Sequence, residues 1–181
     1  MKLKGLLVVL IAGAVGLPLL SYGQDDLSAW RAKAEQGDAT AQALMGSVYY
    51  LGRSVPQNYT EAVKWFRLAA YQGHAVAQYT LGLSFYSGKG VPQDYQEAVK
   101  WFRLAAEQGE TDAQASLGVI YFSGEGVPRD YVQAYAWSNL AATHGHKKAV
   151  EFRSACLKEM TPTQIIDGQQ LSREYATKLA R

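Results

Sequence analysis

The sequence predicts an all-α protein, a solenoid of stacked helix-turn-helix repeats with a 36-residue period. Three observations predict it. A 36-residue block recurs as Gly37–Gln72, Gly73–Gln108 and Gly109–His144, and a fixed period in this range marks a stack whose units bury their apolar sides only against neighbours. Apolar residues recur at helical spacing on either side of a glycine- and proline-bearing loop, as with Ala77, Leu81 and Phe85. Helix-start signals stand at matching places in all three blocks, as Asn58…Glu61, Asp94…Glu97 and Asp130…Gln133.

In chain order, two lysines in Met1–Lys4 precede an uncharged apolar run, Gly5–Leu20, and then Ser21-Tyr22-Gly23. That order predicts a signal peptide over residues 1–23, cut after Gly23, and a periplasmic or secreted protein. The alternative is a retained anchor, for which 16 residues containing three glycines and Pro18 are short against a span of about 20. Losing Lys2 and Lys4 lowers the basic count from 18 to 16, equal to the 16 acids. A neutral mature chain excludes an electrostatic nucleic-acid binder. The mature protein is expected to have no membrane span and to be a monomer. Residues 24–36, with Trp30, read as the second helix of a truncated leading unit that caps the stack.

The second unit shows the pattern most fully. His74 to about Tyr86 is the first helix, and Gly88 supplies its left-handed end. Val91-Pro92 forces an extended step. Asp94 then opens the second helix, which carries Tyr95, Ala98, Trp101, Leu104 and Ala105 toward the stack. Gly46, Gly82 and Gly118 stand inside first helices, where glycine costs about 1 kcal/mol relative to alanine. Close approach of the paired helix under Trp65, Trp101 and Trp137 is the expected reason. Residues 145–181 read as a degenerate fourth unit followed by a capping helix. Thr161-Pro162-Thr163-Gln164 starts that helix; Ile165, Ile166, Leu171, Tyr175 and Leu179 cover the last apolar face, and Gly168 weakens it. Cys156 is the lone cysteine, so no intrachain disulfide forms; it reads as a small packed residue, with pairing to another chain as the alternative.

The string Ala77-x-x-x-Leu81-Gly82-x-x-Phe85…Gly88-x-Gly90-Val91-Pro92-x-Asp94-Tyr95…Trp101…Ala105-Ala106-x-x-Gly109 resembles the Sel-one-like repeat family, relatives of the tetratricopeptide repeats. The first unit departs from it at Ser54 and Met45, and the third at Ser138-Asn139. The resemblance implies a right-handed superhelix whose first helices line a concave groove, and a scaffold that holds other proteins.

Positions that differ between units, on the half of each first helix opposite the repeated residues, predict the groove. They are Thr40, Leu44 and Ser47; Val76, Thr80 and Leu83; and Asp112, Ser116 and Val119, flanked by Tyr79. Their freedom from packing would let them form an apolar recognition strip for a peptide or protein.

No catalytic set emerges. Asp112 is the only acid among those nine positions, where glycoside hydrolysis needs two carboxylates. His144-Gly145-His146 lacks a third metal ligand, and no cofactor motif is present. The expected function is therefore an exported, non-enzymatic adaptor without metal or cofactor. The alternative is an envelope module that binds cell-wall or exopolysaccharide glycan through Tyr79 and Tyr71.

Overall fold

The protein is described by a computed structural model that covers residues 24–180. The expected signal segment, residues 1–23, lies outside the described residues. Nine helices and no strands make up the described chain. They are α1 (Gln24–Glu35), α2 (Ala39–Leu51), α3 (Tyr59–Tyr71), α4 (Ala75–Ser87), α5 (Tyr95–Ala106), α6 (Thr111–Ser123), α7 (Tyr131–Thr143), α8 (Lys147–Glu159) and α9 (Pro162–Leu179). Helices pair within a unit, α2 with α3, α4 with α5 and α6 with α7. Each second helix also packs on the next first helix, so the chain is a continuous α-solenoid.

Local chemistry explains the regular breaks. Gly52, Gly88 and Gly124 end the first helices in the left-handed region, at φ +67°, +70° and +78°, where a Cβ would be strained. The second helices begin at Asn58, Asp94 and Asp130, whose side chains accept N–H bonds from Glu61, from Gln96 and Glu97, and from Gln133. The returning half of the expected capping box differs: Glu61 and Glu97 turn to Lys64 and Lys100 one turn on. The reciprocal box forms at Thr161–Gln164.

The glycines inside the first helices serve a different residue from the one expected. A Cβ on Gly46 would sit 2.6 Å from the Phe66 ring, and one on Gly82 2.7 Å from Phe102; in the third unit it would strike Ser138 Oγ. The tryptophans lie one residue earlier, about 100° round the helix. Trp101 meets Tyr71 of the preceding unit edge-on at 5.5 Å, and Trp137 stacks on Tyr175 at 4.2 Å.

Two polar ladders run through the stack. Gln42, Gln78 and Gln114, all buried, donate Nε2–H to the carbonyls of Ala34, Ala70 and Ala106, at 3.1, 3.1 and 3.2 Å. Each bond joins a first helix to the preceding second helix. Gln72 and Gln108 then donate to Oε1 of Gln42 and Gln78, at 2.7 and 2.6 Å, and His144 Nδ1 stands 3.4 Å from Oε1 of Gln114. The second ladder links arginines to the next unit's aromatics: Arg31 donates to the Tyr49 hydroxyl, Arg67 lies over the Phe85 ring, and Arg103 donates to the Tyr121 hydroxyl.

The C-terminus departs from the repeat. α9 follows α8 after only Met160 and Thr161, without the long loop of the other units, and packs across α7. Gly168 is buried, and a Cβ there would lie 2.8 Å from the Tyr135 ring. That glycine permits the docking rather than weakening it. Ile165, Tyr175 and Leu179 join the core as expected, whereas Ile166 points to solvent. Cys156 is fully buried, and burial pushes its thiol pKa up to about 12.

Candidate binding surface

Most of the expected groove residues are inside the protein. Leu44, Thr80 and Ser116 are 3%, 2% and 0% exposed, and Ser47, Tyr79, Leu83 and Val119 are buried too. They cannot form an open recognition strip. Successive first helices lie side by side, so the face that varies between units is itself an interface. Leu44 packs with Leu27, Ala34 and Trp65. Leu83 shares a cluster with Tyr79 and Leu117, and Val119 meets Phe152 of α8. The hydroxyls tolerate burial because each bonds a carbonyl four residues back: Ser47 to Ala43, Thr80 to Val76 and Ser116 to Asp112, at 2.8–2.9 Å. Tyr79 Oη faces Ser116 without a hydrogen bond of good geometry; burial first, then the Asp112 carboxylate, pushes its pKa up.

Three of the ten residues do reach solvent: Thr40 and Val76 are exposed and Asp112 is half-buried. They occupy one place in successive units, in the first turn of α2, α4 and α6. Two residues before each stands the helix's N-cap, Asp38, His74 or Glu110, and His146 continues the row at α8. The exposed remnant of the expected site is therefore a rim along the N-terminal ends of the first helices.

The rim's electrostatics follow from its caps. His74 Nδ1 accepts the Ala77 N–H at 3.3 Å, and burial lowers its pKa. His146 Nδ1 accepts the Ala149 N–H at 3.1 Å, which leaves the proton of the neutral ring on Nε2, 3.3 Å from Asp112 Oδ1. Glu110 makes no side-chain cap bond; burial first, then Asp112, raises its carboxyl pKa. Asp112 thus sits between an acid of its own turn and a histidine of the next unit. Sequence reading missed this because His146 is 34 residues away, and only the repeat phase brings the two together. The histidines considered as metal ligands are committed to helix ends, and among the described residues no three His, Cys, Asp or Glu side chains gather as a metal site.

These features define an α-solenoid of helix-pair repeats whose solvent-facing chemistry lies on helix ends and outer faces. The Sel1 repeat model matches residues 39–74, 75–110 and 111–146, and the chain belongs to the Sel1 repeat family. The matched units keep the 36-residue period, with boundaries two residues beyond those read from the sequence. One curated relative is the secretory immunoglobulin A-binding protein EsiB of Escherichia coli O6:H1, 46% identical over 67 residues, covering 36% of this chain and 14% of that protein. Among solved structures, c5321, a protective antigen of uropathogenic Escherichia coli with an SLR fold, matches with a TM-score of 0.81 at 39% identity over 98% of this chain and 38% of that one. A Sel1 repeat protein of Oxalobacter formigenes matches with a TM-score of 0.66 at 33% identity, covering 80% of this chain and 56% of that one. This chain therefore spans a small part of the curated relative and about two-fifths of the first solved one. No helix among the described residues is long and apolar enough to cross a membrane.

Proposed function

We propose that the chain is an exported, non-enzymatic scaffold that holds a protein or peptide partner along the N-terminal rim of its first helices. One observation carries this reading: Thr40, Val76 and Asp112 differ between units and also reach solvent, while their varying neighbours are packed away. Variation combined with exposure is what a recognition surface in a repeat protein requires. Membership of the Sel1 repeat family supports protein binding as the activity class. The immunoglobulin-binding relative supports a protein ligand in general, and its 14% coverage does not carry the particular ligand across. Export rests on the charge, apolar run and cut site of residues 1–23, with cleavage after Gly23. The glycan reading loses a ring, since Tyr79 is buried and Tyr71 leans on Trp101.

The test captures partners from an envelope extract with mature chain as bait, beside a bait carrying Thr40→Arg and Val76→Glu. Both substitutions sit at exposed positions, so folding is retained. A protein held by the first bait and lost from the second supports the rim. Equal retention of every protein by both refutes it, and muropeptide or polysaccharide recovered without protein would favour the glycan module.

A further inference from the structure

The N-caps of α2, α4, α6 and α8 are Asp38, His74, Glu110 and His146, one in each unit, and they do not treat protons alike. Asp38 caps through a carboxylate oxygen, 2.7 Å from the Ala41 nitrogen. His74 and His146 cap through a ring nitrogen, where Nδ1 accepts the N–H of Ala77 at 3.3 Å and of Ala149 at 3.1 Å. An imidazole nitrogen accepts only while it holds no proton. Protonation sets a donor against a donor and adds a positive charge at the positive end of the helix dipole.

The two histidines differ in what else holds them. Asp112 Oδ1 lies 3.3 Å from His146 Nε2, so a charged His146 loses its cap bond but gains an ion pair with α6. Lys147 and Lys148 follow it in its own first turn, and His144 before it is turned to Gln114. His74 has no such second hold: among the described residues no carboxylate stands in ion-pair contact with it. The charged and titratable groups around it belong to several elements. Asp38 acts on it from the preceding unit, and α3 ends Leu68-Ala69-Ala70-Tyr71 without a charge. α5 ends with Glu107 and with Arg103, which donates to Tyr121, and the next unit sets Glu110 and Asp112 at the corresponding turn. Burial lowers the His74 pKa against the opposing pulls of its own backbone and of Asp38. The folded chain therefore favours the neutral ring. That preference stabilises fully above the ordinary imidazole value of about 6.5 and is lost as pH falls below it.

We propose that His74 is an acid-sensitive latch on the first turn of α4: a neutral ring holds the Ala77 N–H and keeps the turn closed, and a protonated ring lets it open. The turn carries Val76, the exposed middle position of the rim, so acidification loosens the surface that a partner would grip. Only that consequence rests on the rim reading; the latch itself belongs to the fold.

Amide protection factors of the mature chain, measured by NMR hydrogen exchange at pH 7.5 and 5.0, test the latch without a partner. Protection of Ala77 should fall by at least about three-fold at the lower pH, with a ceiling of about thirty-fold set by an imidazole of ordinary pKa. Ala41, capped by Asp38, is the control and should change by less than about two-fold by the same linkage. In His74→Asn the cap is kept by a side chain that does not titrate, and the fall at Ala77 should vanish; His74→Asp makes the same test if the asparagine chain does not fold. Equal protection of Ala77 at both pH values, or a fall that persists in the variants, overturns the latch. A fall at Ala41 as large as at Ala77 marks general loosening in acid and overturns it as well. The rim capture experiment changes neither His74 nor its cap bond, so the two readings fail separately.

Discussion

Replacing Gln78 by leucine removes one rung of the glutamine ladder with little change in side-chain volume. Gln78 is 4% exposed; it donates to the Ala70 carbonyl at 3.1 Å and accepts from Gln108 Nε2 at 2.6 Å. A net hydrogen bond contributes about 0.5–1.5 kcal/mol, and an orphaned buried partner costs more. Neither partner is orphaned here, since the Ala70 carbonyl keeps the Gly73 N–H at 3.0 Å and Gln108 keeps the Leu104 carbonyl. The expected loss is therefore about 1–2 kcal/mol, the lower range for two buried bonds. In a chain of this size that is a fall of roughly 2–8 °C in Tm. Urea unfolding followed by circular dichroism measures it, and a double-mutant cycle with Gln108→Ala should return a coupling of about 0.5–1.5 kcal/mol. Because the bond to Ala70 joins two units, its loss weakens an interface term, so the unfolding transition should also broaden. A Gln78→Leu chain as stable as the parent, with no coupling to Gln108, would refute the claim that the ladder ties the units together.

Other outcomes follow from single positions. Gly90→Ala should cost about 2 kcal/mol or more, since the new Cβ meets the Tyr59 backbone at φ +78°, whereas Ser54→Gly, at φ +61°, should raise stability by up to about 1 kcal/mol; thermal melts of both separate the effects. Glu110→Asn should stabilise the protein at pH 7 by adding a cap bond and removing a carboxylate whose pKa folding raises. A raised acid pKa means that the native state binds the proton more tightly, so the Glu110 penalty appears as pH rises from about 4.5 through the folded value; the variant's advantage should shrink to its cap contribution below that window. Ala136→Lys restores the residue of the other units at a fully buried place, and should release α9, seen as faster amide exchange over residues 162–179.

The fold was legible because every structural demand is stated three times. Helix ends, caps and loop glycines repeat at the same phase, so chance could be set aside without coordinates. The candidate site was legible only in part. Thr80 and Ser116 look like surface residues by type, but their hydroxyls bond their own helix and need no water. Leu44 reads as an apolar residue free of duty, yet α1 covers it. A helical wheel shows which residues share a side and not what lies against that side. The pairing of His146 with Asp112 was likewise invisible, because it depends on the offset between adjacent first helices.

Differences between repeats are therefore of two physical kinds, and burial separates them. Lys100 and Ala136 differ because one lies on an exposed face and the other on the helix that α9 covers. Those changes adapt a surface to a neighbour already present in the chain. Thr40 and Val76 differ at exposed places, and Asp112 at a half-buried one whose chain neighbour is His146.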